Sequence, residues 1–298
     1  MVSVVLISKN EDGLNDTLLR LEDEFRRVAT SCEAIVVDAS DGALDYIRDS
    51  HPNVLWVAYK AAPDVRVSIP QQRNLGIKAA QSGIVVFLDA GCVPRPGWLQ
   101  ALIAPILNEG ESVCAGPVVS GDGQLKGYDS VWAGNPDVQY LRECPTINLA
   151  IARSVFSKIG YFDERFEYGS DTDFSWRVVD AGLQIRAVHE ASISHEWGSL
   201  SKQIKRSFRY GKARVRLYRK HPGRLRDIGR YDRTFAIYPA YAAGLVVLPF
   251  FPLYVLPLVL AIYKARGRGG LISVAGYLSF GFGALSECSS VVRARLMG

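Results

Sequence analysis

Val85-Val86-Phe87-Leu88 ends in a single acid, Asp89, followed by Ala90 and Gly91. A short run of apolar and β-branched residues reads as a strand buried on both faces. Open α/β sheets hold ligands in the crevice beyond the carboxyl ends of their strands. An acid delivered there with no bulk behind it suits a phosphate-bound metal ion or a ribose hydroxyl. The position two residues on, where a partner acid would stand, is Gly91. Asp38 closes an earlier strand, so its carboxylate faces the same crevice; Asp38-Ala39-Ser40-Asp41-Gly42 is also turn chemistry. Lys9 and Glu11 follow the first strand, either against a ligand or as solvated loop charges. Arg73 opens a helix in Gln71-Gln72-Arg73-Asn74, where a planar guanidinium suits a diphosphate. The alternative is an exposed helix arginine. Asp171 and Asp173 flank another helix start, where acids also complement the helix dipole. Arg177 stands four residues after Asp173, within pairing distance on one helix face.

The elements that must position these residues alternate. Strands are expected at residues 2–7, 34–37, 54–57 and 84–88. Helices are expected at 14–28, 43–50, 69–81 and 97–107, and again at 154–159 and 172–181. This spacing predicts an α/β fold with a mostly parallel sheet and helices on both faces. The turn after the first strand lacks GxGxxG, which argues against a dinucleotide site. Gly- and Asp-rich loops are expected from 120 to 137.

With 298 residues, 48% hydrophobic and 22% charged, the chain can bury a sizeable core and is not a disordered polymer. Five scattered cysteines without a CxxC pair indicate neither a zinc site nor a disulfide framework, which fits a reducing compartment. The N-terminus lacks the basic start of a signal peptide. Between Ser201 and Arg233 there are thirteen Lys/Arg and two Asp, so the rest of the chain is acidic on balance. A basic block of this kind expects an anionic partner. Residues 234–263 and 271–286 carry no charge. A basic belt beside apolar segments selects a membrane, not nucleic acid.

The blocks in the first two hundred residues resemble family 2 glycosyltransferases of the GT-A fold, a Rossmann-like mixed sheet sandwiched by helices. They are Val4-Val5-Leu6-Ile7-Ser8-Lys9-Asn10-Glu11, Ile35-Val36-Val37-Asp38-Ala39-Ser40 and Arg73-Asn74-Leu75-Gly76-Ile77. Then come Val86-Phe87-Leu88-Asp89-Ala90-Gly91, Gly160-Tyr161-Phe162-Asp163-Glu164-Arg165-Phe166 and Ser170-Asp171-Thr172-Asp173-Phe174-Ser175-Trp176-Arg177. The resemblance implies that Lys9, Glu11, Asp38, Arg73 and Asp89 grip a nucleotide-sugar donor, with Asp38 on the base. It makes Asp171 the catalytic base that activates an acceptor hydroxyl, with Asp173 and Arg177 organising the site. Asp89 fills the first position of the family's DxD motif and Gly91 the last. A divalent cation, Mn or Mg, would then rest on Asp89 and on His195, where related enzymes often supply a ligand; the alternatives are a structural His195, and an enzyme that works without a metal or binds it only with the donor. Trp132, Tyr140, Phe166, Trp176 and Trp197 are aromatic candidates for an acceptor groove, or core.

Three segments are expected: a GT-A domain at 1–199, a basic amphipathic interfacial segment at 200–233, and a hydrophobic membrane-associated helical region at 234–298. In the second, Leu200, Ile204, Phe208, Val215 and Tyr218 recur at helical spacing with Lys and Arg opposite, as in a helix lying among headgroups. The alternative is a packed surface helix. In the third, Pro249-Phe250-Phe251-Pro252 breaks the first apolar stretch, and residues 264–268 form a basic loop. Either a re-entrant hairpin or two regular spans would suit. The whole reads as an inverting glycosyltransferase on the cytoplasmic face of the cell membrane, with a UDP-sugar donor and a lipid-linked or glycan acceptor. The alternatives are a catalytically silent GT-A domain that binds nucleotide sugar or tethers a partner, and a nucleotidyltransferase, whose Gly-rich basic first loop is missing.

Overall fold

The computed structural model describes residues 1–62, 66–121, 132–196, 198–264 and 268–297. Residues 265–267 of the expected basic loop, 122–131 of the Gly- and Asp-rich loops, and Trp197 lie outside them. The chain divides into two compact units, Met1–Glu196 and Trp197–Gly298. The expected segments 200–233 and 234–298 therefore fall within one unit.

In the first unit, β1 (Val2–Ser8), α1 (Leu14–Arg27), β2 (Cys32–Asp38), α2 (Asp45–Ser50), β3 (Leu55–Ala58), α3 (Ile69–Ala79) and β4 (Ile84–Asp89) alternate. Next come β5 (Val93–Pro94), α4 (Trp98–Asn108), β6 (Val113–Ala115), β7 (Val118–Val119), β8 (Tyr140–Leu141) and β9 (Asn148–Ala152). The unit ends with α5 (Arg153–Ile159), α6 (Ser170–Asp180), β10 (Ile185–Ala187) and β11 (Ile193–Ser194). The main sheet runs β3-β2-β1-β4-β9-β6-β10-β8. Strands β1 to β4 are parallel, and β9 runs antiparallel between β4 and β6. This is a mixed GT-A sheet flanked by helices.

Register decides what reaches the crevice. Ser8 pairs with Asp38 and Ile7 with Asp89, so three strands end at one level. The β-branched runs are consumed by burial: Val5, Ile35, Val37, Val85 and Phe87 join Leu149, Ile151, Phe162 and Phe174 in one core. Helix α3 lies on β1 at Gly76, where a Cβ would fall on Val5 Cγ1. A second sheet, β5-β11-β7, sits beyond the end of β4.

Asn148 couples the two sheets. Its Oδ1 accepts from Trp98 Nε1 at 2.8 Å, and its Nδ2 donates to Pro117 O at 3.1 Å and Ala191 O at 2.8 Å, all buried. Asn148→Ala leaves three buried groups without that partner. It is expected to cost about 3 kcal/mol, since each unsatisfied group costs ~1–3 kcal/mol. Urea unfolding of the two proteins measures this.

The second unit contains α7 (Leu200–Lys220), α8 (Ile228–Tyr231), α9 (Arg233–Gly244), α10 (Leu256–Lys264) and α11 (Arg268–Met297). The uncharged stretch from 234 is broken: short 3₁₀ turns at Leu245–Val247 and Pro252–Val255 separate α9 from α10. The apolar face expected to rest among headgroups is in good part packed. Val215 and Tyr218 are buried, and Ile204 and Phe208 are half-buried. Phe208 lies on Gly283 of α11, and Tyr218 lies against Phe235 of α9 at 5.0 Å between ring centroids.

Candidate active site

The carboxyl ends of β1 and β4 are where strand order reverses, the topological switch point of an open α/β sheet. A cleft of about 380 Å³ opens there, lined by Ser8, Lys9, Glu11, Arg66, Gln72, Asp89, Glu167 and His195 among others. Lys9, Glu11, Asp89 and His195 thus meet in one cavity. Asp38, Arg73, Asp171, Asp173 and Arg177 are not among its lining residues.

His195 arrives there by strand register. β11 pairs antiparallel with β5, Ser194 facing Val93, which sets the next residue, His195, beside Cys92. The Cys92 Sγ lies 3.6 Å from His195 Nδ1. Burial pushes the Cys92 thiol well up, and the charges of Asp89 and Glu11 add to the effect. In the metal-free site the thiol is therefore held protonated at neutral pH.

Gly91 has φ +83°, a conformation that side chains with a Cβ rarely adopt. Its N–H donates to Thr17 Oγ1 at 3.0 Å, and Glu11 Oε1 lies 3.6 Å from where a Cβ would stand. The turn that ends β4 is built for glycine. Among the described residues, no group of three or more His, Cys, Asp or Glu is arranged to hold a metal ion unaided. Oxygens of Asp89 and Glu11 and the imidazole of His195 nevertheless share one cleft. Hard cations such as Mg²⁺ bind through one or two carboxylates plus substrate phosphates. This donor set fits a cation that arrives with its phosphates.

Arg73 does not open its helix. α3 begins at Ile69 under a Ser68 cap, with Pro70 in its first turn, so Arg73 stands a full turn inside. The guanidinium is buried; its Nη2 lies 3.5 Å from Asp89 Oδ1, and it sits over the Phe162 ring at 5.8 Å. The expected helix bounds, 69–81, have the start in the right place; what the Ser68 cap rules out is Arg73 as the residue that opens it. The neighbours of Arg73 have separate tasks. Gln72 Nε2 donates to Ser8 O and Val37 O, both at 3.0 Å, tying the ends of β1 and β2. Asn74 exchanges hydrogen bonds with the Phe162 backbone at 2.9 and 3.0 Å and donates to Glu164 Oε1 at 2.9 Å.

Asp38 is buried and holds its own turn. Ser40 Oγ donates to Oδ1 at 2.6 Å and Ser40 N to Oδ2 at 3.2 Å. Asn10 N in turn donates to Ser40 Oγ at 2.7 Å, so the loops after β1 and β2 are locked together.

Asp171 stands in the first turn of α6, half-buried, accepting from Thr172 N at 2.8 Å. Burial pushes its carboxyl above the ordinary Asp range, and the Arg73 guanidinium pulls in the opposite direction without cancelling the rise. Asp173 is fully buried and pairs with Arg177 Nε at 2.9 Å. Arg177 also donates to Ile159 O at 2.6 Å and Tyr161 O at 2.8 Å. That pair clamps the end of α5 to α6.

Sequence reasoning missed Arg66, Gln72 and Glu167. Arg66 pairs with Glu167 and donates to Tyr168 Oη at 3.0 Å. The pair joins segments about a hundred residues apart with no shared periodicity, so no local signal announced it. Of the aromatic candidates, Trp132, Phe166 and Trp176 are buried in the core, while Tyr140 is exposed on β8.

The family model described as Glycosyl transferase family 2 matches residues 3–177. The pre-mycofactocin glycosyltransferase of Mycobacterium tuberculosis is 27% identical over 166 residues, covering 50% of this chain and 35% of that protein. Glycosyltransferase AglE of Haloferax volcanii is 26% identical over 152 residues, covering 49% of this chain and 50% of its own length. The matches thus span half or less of these curated relatives. Among solved structures, the mannosyltransferase PcManGT from Pyrobaculum calidifontis, in complex with GDP-Man and Mn2+, superimposes with TM-score 0.71. It is 15% identical and the match covers 96% of this chain and 86% of that one, a likeness of fold.

Proposed function

Because the chain belongs to glycosyl transferase family 2, we propose that it is an inverting glycosyltransferase that uses a nucleotide-sugar donor. UDP-sugars are the first choice of donor. The acceptor is a hydroxyl of a lipid-linked or glycan substrate on the way to a surface polysaccharide or glycolipid, at the cytoplasmic face of the cell membrane. The observation that carries the reading is one cleft at the β1/β4 switch point lined by Asp89, Lys9, Glu11 and His195.

In this reading the nucleoside diphosphate lies in the cleft, with Lys9 as a cation for its phosphates. Asp38 accepts a base N–H with the capacity that Ser40 leaves. A divalent cation, Mn or Mg, supplies charge neutralisation of the leaving diphosphate when bound; Asp89 and His195 are the residues that would hold it. The Mn2+ and GDP-Man held by the Pyrobaculum enzyme support both ligands. Asp171 takes the proton of the acceptor hydroxyl, which attacks the anomeric carbon opposite the diphosphate. Its raised pKa makes it a stronger base than a solvated Asp. Asp173 and Arg177 act at a distance, by fixing α6.

Arg73 tempers that pKa. Arg73→Met removes the cation that lowers it, so the acidic limb of the rate profile is expected to move to higher pH. A limb that stays in place would detach Arg73 from Asp171. The test of the function itself is incubation with radiolabelled UDP-, GDP- and TDP-sugars and a lipid extract, reading transfer of label. A silent GT-A domain is the second reading, favoured by Gly91; it predicts donor binding without transfer to any acceptor.

The second unit supports membrane association. The bend between α9 and α10 exposes apolar side chains, with Phe250 88% and Leu253 63% exposed, and α7 is rich in Lys and Arg.

A further inference from the structure

We propose that the second unit lies on one side of an anionic lipid bilayer and does not cross it; the proposal rests on the membrane association just described. Leu271–Ala294, within α11, is the one helical stretch among the described residues long and apolar enough to cross. Its neighbour decides its environment. α7 runs parallel to it: Ser279 Oγ donates to Ile204 O at 2.9 Å, and Arg216 Nε donates to Glu287 Oε1 at 2.7 Å. Between these points Gly211 and Gly283 let the backbones touch. A Cβ on Gly211 would fall on Phe280 O, and one on Gly283 on Phe208 O.

The contact covers residues 279–287, inside the candidate span, and about 12 Å of helix. Over its whole length, Leu200 to Lys220, α7 carries nine Lys/Arg and no acid. Glu287 itself is an acid within the span, held by Arg216 and by Lys212 at 3.6 Å. Charged side chains at bilayer depth are expensive. Sinking α11 across the hydrocarbon would take this cationic helix with it. Arg268 at one end and Arg293 and Arg295 at the other would also have to lie on opposite faces, against the positive-inside tendency.

The other apolar stretch is too short in each half. α9 has 12 residues and α10 has 9, about 18 and 13.5 Å of helix against a core of about 30 Å. Phe251 interrupts them with φ −140° and ψ 81°. The chain doubles back there: Tyr241 and Tyr254 stack at 4.7 Å, and Tyr254 Oη donates to Tyr241 O at 3.2 Å. The bend presents Phe250, Phe251 and Leu253 outward. It forms a wedge for one leaflet, and the exposed Lys202, Lys205 and Arg219 of α7 meet anionic headgroups.

The test uses the full chain in sealed inverted membrane vesicles, with Cys32→Ser and Cys288→Ser as background. Leu271→Cys and Leu296→Cys mark the two ends of α11, both exposed. A membrane-impermeant maleimide is expected to label both positions as fully before detergent as after. Protection of either position until detergent is added would overturn the proposal. Recovery of the protein outside the membrane fraction would instead sink the membrane reading beneath it. In flotation with purified protein, phosphatidylglycerol vesicles are expected to bind at least about tenfold more than phosphatidylcholine vesicles. Equal binding would remove the headgroup contact.

Discussion

Asp171→Asn is expected to cut sugar transfer by about 10²- to 10⁴-fold, the range a positioned general base supplies. Donor affinity is expected to hold, because Asp171 is not among the residues that line the cleft. Stability is expected to rise at neutral pH. Burial raises the Asp171 carboxyl in the fold, so its ionisation opposes folding above the folded-state pKa. That cost is relieved as pH falls through it. Asparagine removes the charge yet keeps an oxygen for Thr172 N, which donates to Asp171 at 2.8 Å. The gain in Tm over the parent should therefore shrink on acidification. Full transfer by the variant would end the base assignment; a drop in Tm would show that the carboxylate holds the helix start instead.

Asp89→Asn is expected to abolish the cation-dependent part of donor binding, a loss of at least about 10²-fold in Mn²⁺ affinity measured with nucleoside diphosphate present. The change is nearly isosteric, so the fold should survive. It also takes the charge from Arg73, whose buried Nη2 lies 3.5 Å from Asp89 Oδ1. A guanidinium left with less compensation is costly, and some stability should be lost. Mn²⁺ electron spin resonance separates the two effects, since it reads the free ion and not the rate. Unchanged Mn²⁺ binding would confine Asp89 to a ribose or to holding Arg73.

Much of the first unit was legible because its signals are local. Short β-branched apolar runs bounded by turn residues, such as Val85 to Leu88, read as central strands, and the acids that end them mark the crevice. The Arg73-Asn74-Leu75-Gly76 block was visible as a block but not as a set of tasks. Only the packing shows Arg73 on Asp89, Asn74 on the Phe162 backbone and Gly76 against Val5. The Arg66–Glu167 pair and the three bonds of Asn148 are long-range and polar. No periodicity encodes them. The tail was read correctly as broken at Pro249 to Pro252 but ambiguously as to environment. An amphipathic face looks the same whether it meets lipid or another helix. Gly211 and Gly283, which settle that α7 meets α11, are isolated small residues in sequence and become informative only as a pair.

In the proposed function the cleft at the ends of β1 and β4 takes a nucleotide sugar. A thermal-shift screen of the purified chain against nucleotide sugars, with and without Mn²⁺, tests it most directly. A cognate donor at a hundred times its Kd stabilises by about 2.7 kcal/mol. A clear rise in Tm is expected with one donor class in the presence of Mn²⁺, lost in Asp89→Asn. No shift with any nucleotide sugar, with or without the metal, would contradict it.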